Sequence, residues 1–358
     1  MFPIGMSCYD LVIMKSGLKL ARKRELLARG LLWSGASSLL SRLPARNTLL
    51  VLNYHRVGNA EEDLFDPSIF SATAEQFDNQ IAYLKRHLSL VTLDEALEFI
   101  EGTSKEKTSR CRALITFDDG YLDNYEIAFP ILRSHGVQGV FFLVTSMVGS
   151  CHVPWWDHVA YLMKTAKTRR FSLSYPTKID VNIDKYGLPE SLSAVLQSYK
   201  HPDNSDPARF IRELEEASGG EEPPKPMRRF LNWDEAREMS RGGMAIGSHT
   251  HSHIALNLLE PERQHEELSL SRAILKEQLG VEADVLAYPL GHKGSYTEQT
   301  AKIAKELGYR AAFSHHGGMN LQGETYPFDV KRNKILGQSS ARFRVQASVC
   351  RAAGSYWP

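Results

Sequence analysis

The sequence predicts an α/β fold in which about seven parallel strands alternate with helices. Short, continuous apolar segments recur along the chain, and amphipathic segments lie between most of them. Strands of this kind are typical of a parallel sheet that is covered by helices. Seven or eight such units fit a closed β/α barrel better than an open doubly wound sheet, but the spacing of the units alone does not distinguish the two.

The predicted strands are the apolar runs that a parallel sheet would bury. They lie at residues 49–55, 90–93, 113–117, 139–144, 245–247, 285–288 and 311–313. Amphipathic spacing predicts helices at residues 74–87, 95–101, 127–135, 261–279 and 297–307. Asp94 precedes the second of these helices, where its carboxylate would accept hydrogen bonds from the free N–H groups of the first turn.

Residues 150–230 interrupt this alternation of strands and helices. The segment contains Trp155 and Trp156, a polar stretch at residues 201–207 and a loop rich in glycine and proline at residues 219–224. It is too long for a plain loop. We therefore expect a mostly helical insertion, forming a cap or a small subdomain, within a barrel that spans residues 48–340.

Charge is distributed unevenly along the 358 residues. Residues 1–47 contain eight basic and two acidic residues, and residues 330–358 contain six basic residues and no acid. Because the net charge is only +1, the central body is acidic, which argues against a nucleic-acid partner. The four cysteines have no paired spacing, so the sequence predicts neither a disulfide framework nor a cysteine zinc site.

The two ends of the chain are expected to lie outside the barrel. Residues 1–47 predict a basic helical extension, in which residues 19–43 could rest on an anionic membrane surface or pack on the domain. No apolar run approaches the roughly 20 residues of a membrane span, and no cleavable signal peptide is visible. We therefore expect a cytoplasmic protein with peripheral membrane contact, and a basic tail at residues 341–358.

Polar residues with catalytic chemistry follow several of the predicted strands. Asp118 and Asp119 come directly after one strand, His249 and His253 after another, and His55 ends the first. In a β/α barrel the chemistry lies where the strands end. One aspartate and two histidines can form a three-ligand metal site with an open position, which leaves the second aspartate as a base. Taken singly, an Asp-Asp-Gly turn or a solvated histidine pair would need no such site.

Both motifs together resemble the polysaccharide deacetylase family with the NodB-homology domain. The resemblance rests on residues 116–121 and 249–253, and it extends to residues 54–57, 233–243 and 287–291. It covers roughly residues 48–335 apart from the insertion. It implies a distorted β/α barrel and metal-dependent hydrolysis of an acetyl group, usually the N-acetyl group of an amino sugar.

The resemblance also implies roles for individual residues. Asp119, His249 and His253 match the metal ligands, and Asp118 matches the general base that activates a metal-bound water. Zinc is the ion expected first, and the ligand set also suits cobalt, nickel or manganese. His251 lies between the two histidine ligands and is expected to point away from the site.

The sequence departs from the family pattern where an arginine usually holds the catalytic aspartate. The family reads Arg-x-Pro-Tyr there, whereas this chain has Ala-Tyr-Pro-Leu at residues 287–290. Asp118 would then need another partner. Arg332 is one candidate, and the alternative is that Arg332 is a solvated surface residue.

The general acid is the second departure. His55 is the favoured candidate, and His315 or His316 near the end of the chain is the alternative. The surroundings of His315 and His316 do not match the family's usual Leu-x-His context.

The resemblance thus implies a metal-dependent hydrolase that deacetylates a glycan containing N-acetylated hexosamine, within bacterial surface-polysaccharide metabolism. Two alternatives stay open. One is a hydrolase of another acyl or C–N bond, and the other is a catalytically silent glycan-binding protein on the same fold. The sequence does not predict the oligomeric state.

Overall fold

The computed structural model describes residues 47–105, 108, 110–201, 203–224, 227–335 and 340–353. The chain divides into two compact units. Among the described residues, the insertion unit comprises Ala60–Pro67 and His152–Met227, and the barrel unit comprises the rest. The predicted basic extension at residues 1–47 lies outside the described residues, apart from Asn47.

The strands and helices follow the predicted alternation in the barrel unit. In chain order the strands are β1 Thr48–Tyr54, β2 Arg56–Val57, β3 Phe70–Ala72, β4 Ser89–Leu90, β5 Arg112–Phe117, β6 Gly139–Leu143, β7 Arg170–Leu173, β8 Ile179–Asn182, β9 Ala245–Ser248, β10 Val285–Ala287, β11 Ala311–Phe313, β12 Asn320–Leu321 and β13 Arg332–Lys334. The helices are α1 Ala74–His87, α2 Leu93–Ile100, α3 Phe129–His135, α4 Trp155–Lys164, α5 Ile183–Tyr186, α6 Leu188–Tyr199, α7 Pro207–Ser218, α8 Trp233–Arg241, α9 Pro261–Leu279, α10 Glu298–Glu306 and α11 Ser340–Ala353. Within the described part of the chain, no helix is both long and apolar enough to cross a membrane.

The barrel unit contains one sheet of nine strands. Its order is β11-β10-β9-β6-β5-β1-β12, with β4 paired to β5 and β13 paired to β1. All of these pairs are parallel except β1 with β12. Val330 also forms a parallel bridge with Phe313 on the edge strand β11, just before the chain enters β13. Residues 330–334 thus pair with β11 at one end of the curled sheet and with β1 at the other. The predicted distorted β/α barrel is confirmed.

The two faces of the sheet bury different apolar clusters. Along β1, Leu49 and Val51 pack with apolar side chains of β5, β6, β10 and β11. Leu50 and Leu52 point the other way and pack with α1, α3 and α8. This alternation is the period of two expected for a strand, and each buried side chain contributes about 1.5–3 kcal/mol. The first face becomes polar at Asn53, so the carboxyl end of the barrel can hold charged groups.

The start of α2 corrects one prediction. The N-cap is Thr92, whose hydroxyl accepts a hydrogen bond from Glu95 N at 3.3 Å. The Glu95 carboxylate accepts one in return from Thr92 N at 2.7 Å. This reciprocal capping box begins the helix at Leu93, so the prediction that Asp94 is the cap was wrong.

The insertion unit is mostly helical, with four helices, α4 to α7, among its described residues. It also contains the antiparallel hairpin of β7 and β8, which the sequence did not predict. The ring of Trp155 stacks on Tyr199, with centroids 4.0 Å apart and planes at 7°. Trp156 is 7% exposed. Both indoles therefore contribute to the packing of this unit.

Gly247 lies in β9, the strand that leads to His249, and its lack of a side chain allows neighbouring strands to pack closely there. A Cβ atom there would lie 2.7 Å from the Phe142 ring and 2.9 Å from Val285. We expect Gly247→Ala to lower the free energy of unfolding, measured in urea, by about 1–3 kcal/mol because the core is overpacked. Phe142→Leu should relieve part of this cost, and strictly additive losses in the double variant would contradict the explanation.

Candidate active site and metal centre

Parallel pairing brings the ends of several strands to the same edge of the barrel. Tyr54 at the end of β1 pairs with Phe117 at the end of β5. The residues that follow them are His55 and Asp118. His249 follows β9, which pairs with β6 in the same sheet. The structure therefore places the polar residues that follow these strands at one carboxyl edge, as the sequence analysis expected.

Asp119, His249 and His253 form a cluster suited to a metal ion. Asp119 Oδ1 lies 3.6 Å from His249 Nε2 and 3.4 Å from His253 Nε2. One ligand atom from each residue lies within 4.8 Å of the others. Two ligand atoms held tetrahedrally at about 2.0–2.2 Å from one ion are about 3.4 Å apart. The spacing of this cluster fits one divalent ion.

The orientation of His249 supports this assignment. Its Nδ1 lies 2.8 Å from the carbonyl oxygen of Ala287, which accepts a hydrogen bond. The proton is then on Nδ1, so the lone pair of Nε2 faces Asp119. Burial lowers the pKa of His249, which keeps the ring neutral as a metal ligand requires.

The backbone carries strain at the same place. Asp119, Thr250 and His253 have φ values of 73°, 66° and 61°, in the left-handed region that residues other than glycine seldom adopt. Each such residue costs of the order of 1–3 kcal/mol, and such residues cluster at functional sites. His253 N donates to Thr250 Oγ1 at 3.1 Å, which stabilises the turn between the two histidines.

Asp118 lies beside this cluster and is held by a buried arginine. Arg332 Nη1 donates to Asp118 Oδ1 at 2.6 Å, and Nη2 donates to Oδ2 at 2.9 Å. Asn53 Nδ2 donates to Oδ2 at 3.0 Å. Arg332 is fully buried, and its Nε donates to the Ser314 carbonyl at 3.0 Å. The alternative that Arg332 is a solvated surface residue was therefore wrong.

This contact determines the charge of Asp118. Burial by itself would favour the neutral acid, but the charge of Arg332, with smaller contributions from His249 and His55, holds the pKa of Asp118 well below its usual value. Asp118 is therefore an anion at neutral pH. Its Oδ2 lies 4.0 Å from His249 Nε2, so this oxygen faces the predicted metal ligands.

His55 and His315 lie together at the same edge. Their ring centroids are 5.8 Å apart. Burial lowers the pKa of His55 to about 3; Lys334 and Arg332 act in the same direction, and the charge of Asp118 opposes them. Burial and Arg332 also lower the pKa of His315 well below its usual value. Both imidazoles are thus neutral in the resting protein.

Two further histidines have other contacts. His316 Nε2 lies 2.8 Å from Asp329 Oδ1, to which the hydroxyl of Tyr296 also donates at 2.9 Å. His251 Nδ1 lies 3.0 Å from Thr145 Oγ1. Of the two late histidines, His315 is therefore the one beside His55, and His251 bonds away from the metal ligands as expected.

Comparison with known proteins identifies the family. The sequence model of the polysaccharide deacetylase family matches residues 105–312, which is more than half of the chain. The match includes both aspartates and both histidines of the cluster. The chain belongs to the polysaccharide deacetylase family.

Two curated relatives share part of their length with this chain. YxkH of Bacillus subtilis, whose name assigns it to the polysaccharide deacetylases, is 23% identical over 216 residues, which are 60% of this chain and 49% of the relative. The poly-beta-1,6-N-acetyl-D-glucosamine N-deacetylase of Staphylococcus epidermidis is 33% identical over 117 residues, which are 29% of this chain and 39% of the relative. The matched region thus spans half or less of each relative.

Two solved structures share the fold over almost their whole length. The Streptococcus pyogenes deacetylase PplD in complex with acetate has a TM-score of 0.55 at 18% identity, covering 85% of this chain and 99% of that one. IcaB from Ammonifex degensii has a TM-score of 0.54 at 21% identity, covering 86% and 99%. At these identities the likeness concerns the fold.

Proposed function

We propose that this protein is a metal-dependent hydrolase that removes acetyl groups from N-acetylated amino sugars of a poly- or oligosaccharide. The observation that carries the proposal is that a candidate metal site and a candidate base lie side by side at one edge of the barrel. The cluster of Asp119, His249 and His253 lies beside the buried anion of Asp118. The staphylococcal relative named for poly-beta-1,6-N-acetyl-D-glucosamine supports that polymer as the first substrate class to test.

Asp119, His249 and His253 would hold the ion. A carboxylate and two imidazoles suit zinc best, and cobalt, nickel or manganese also fit this donor set. When bound, a divalent ion would acidify water and polarise the acetyl carbonyl.

Asp118 supplies the base in this proposal. Its Oδ2 faces the ligand cluster and would take a proton from the attacking water. The two hydrogen bonds from Arg332 fix the carboxylate in that orientation. His55 would then give a proton to the leaving amine. Because its imidazole is neutral at rest, His55 would first receive the proton that Asp118 has taken from the water, and it would pass this proton to the amine.

Acetate release tests the proposal. Protein stripped with a chelator and then reloaded with zinc should release acetate from β-1,6-linked N-acetylglucosamine oligomers, whereas stripped protein should not. Acetate from O-acetylated but not N-acetylated glycans would favour an esterase. Binding of the oligomer without release of acetate, whichever divalent ion is loaded, would favour a silent glycan-binding protein.

The cytoplasmic location and the peripheral membrane contact stay predictions.

His55→Gln tests the acid. Loss of a general acid costs about 10²- to 10⁴-fold, so we expect kcat to fall in this range while KM and zinc content change little. His316→Gln is the matched control, because that ring bonds to Asp329, and it should retain most of the activity. A full kcat in His55→Gln, with a large loss in His315→Gln, would transfer the role to His315.

A further inference from the structure

Helix α9 contacts the turn that carries the two histidine ligands, here called the histidine loop (residues 249–253). The carboxylate of Glu267 accepts three hydrogen bonds from it. Oε2 accepts from the backbone N–H groups of His251 at 3.1 Å and Ser252 at 2.8 Å. Oε1 accepts from the Ser252 hydroxyl at 2.7 Å. Both oxygens of Glu267 are thus used directly before the ligand His253.

The next turn of α9 contacts the other end of the loop. Ser271 lies four residues after Glu267, on the same face of the helix. Its Oγ is 2.8 Å from Ser248 Oγ, which also accepts from Thr250 N at 3.2 Å. Ser248 directly precedes the ligand His249. One face of α9 therefore contacts the residues that precede both histidine ligands.

The loop needs such support because of its backbone. Thr250 and His253 both have left-handed φ values, which their side chains disfavour. Ser146 N donates to the His251 carbonyl at 3.0 Å, but this hydrogen bond involves a carbonyl of the loop and none of its N–H groups. The N–H groups of His251 and Ser252 point to Glu267. A charged acceptor for two successive N–H groups is a strong restraint on this turn.

We propose that Glu267 is a positioning residue that holds the histidine loop in the conformation that binds the metal ion, without contacting the ion itself. The inference rests on the proposed metal site of the deacetylase. Helix α9 would thus hold His253 in its metal-binding position before the ion arrives, so that ion binding does not have to order the loop. Supporting partners of metal ligands typically contribute 10- to 100-fold to metal affinity.

The test measures zinc affinity by competition with a chromophoric chelator. We expect Glu267→Ala to weaken zinc binding about 10- to 100-fold. Glu267→Gln keeps an amide oxygen for both N–H groups but loses the charge, so its affinity should lie between those of Glu267→Ala and the wild type. The matched control is Glu266→Gln, since Glu266 is 60% exposed and pairs only on the surface with Arg263. At saturating zinc, Glu267→Ala should regain most of its kcat.

Several results would overturn the inference. Wild-type affinity in Glu267→Ala would do so, and so would an equal loss in Glu266→Gln. If Glu267→Ala does not fold, Glu267→Gln removes only the charge of the acceptor, and an unchanged affinity there would count against the proposal. Weakened zinc binding in a protein that releases no acetate would support the inference while contradicting the deacetylase. A wild-type chain that binds no divalent ion would overturn both.

Discussion

Replacing Arg332 by methionine is expected to lower the free energy of unfolding by about 3–5 kcal/mol and to reduce acetate release at least about 100-fold. The substitution removes both hydrogen bonds to Asp118 and leaves a carboxylate buried without its positive partner. Breaking one side of a buried ion pair costs this much because the other charge stays desolvated. The carboxylate would also lose the orientation that points Oδ2 at the ligand cluster. Urea unfolding and an acetate assay measure the two effects.

A surface arginine provides the control for this experiment. Arg310 pairs with Glu101 through hydrogen bonds of 3.0–3.2 Å, but its side chain is 38% exposed. Exposed pairs contribute about 0–1 kcal/mol, so Arg310→Met should change stability by no more than that. Equal losses in both variants would contradict the role given to the buried pair. Arg332→Lys keeps the charge but not the planar two-pronged geometry, and intermediate activity is expected.

Substitutions at the two adjacent aspartates are expected to have different effects on kcat and on zinc content. Asp118→Asn should lower kcat by about 10²- to 10⁴-fold because the amide cannot accept the proton of the attacking water. Its zinc content should stay near that of the wild type, since the ligand cluster is intact. Asp119→Ala should lose both zinc and acetate release. Metal analysis of each purified variant, with kcat at saturating zinc, measures this difference.

The opposite pattern would contradict the assignment. Loss of zinc in Asp118→Asn with retention in Asp119→Ala would exchange the roles of the two residues. Addition of excess zinc provides an internal control. It should not restore Asp118→Asn, because the missing group is the base.

The fold was predicted where the sequence carries a local signal. Six of the seven predicted strands are present in the sheet over most of their length. Of the seventh, predicted at residues 90–93, only Leu90 lies in a strand, because Thr92 caps α2 and Leu93 begins it. Strand β13 was missed because its residues, Arg332, Asn333 and Lys334, include no apolar side chain. It is a strand because it pairs with β1 at the polar end of the barrel. That pairing depends on the fold as a whole, so no local pattern could indicate it.

The residues of the candidate site were likewise predicted where the sequence carries a local motif and missed elsewhere. The residues of the ligand cluster were predicted from two short motifs, and the structure brings them together, although ion binding itself stays a prediction. Arg332 was only one candidate partner because it lies 214 residues from Asp118 in the sequence. Asn53 was missed, since a polar residue at the end of an apolar run also fits a solvated turn. Glu267 was missed because a glutamate on an amphipathic helix ordinarily faces solvent, and its contact with residues 251 and 252 depends on the fold.

The choice among late histidines also required the structure. His315 and His316 are adjacent in the sequence, and their motif context did not separate them. In the structure His316 bonds to Asp329, whereas the ring of His315 lies beside His55. A contact with a residue 13 positions away decides between them.

We expect one divalent ion to bind at Asp119, His249 and His253 while Asp118 stays paired with Arg332. A crystal structure of the zinc-loaded protein, with anomalous data collected at the zinc edge, tests this most directly. We predict one strong peak at about 2.0–2.2 Å from Asp119 Oδ1, His249 Nε2 and His253 Nε2. Asp118 should keep both hydrogen bonds from Arg332. A peak bonded to Asp118 or lying between His55 and His315, or no peak at saturating zinc, would contradict the account.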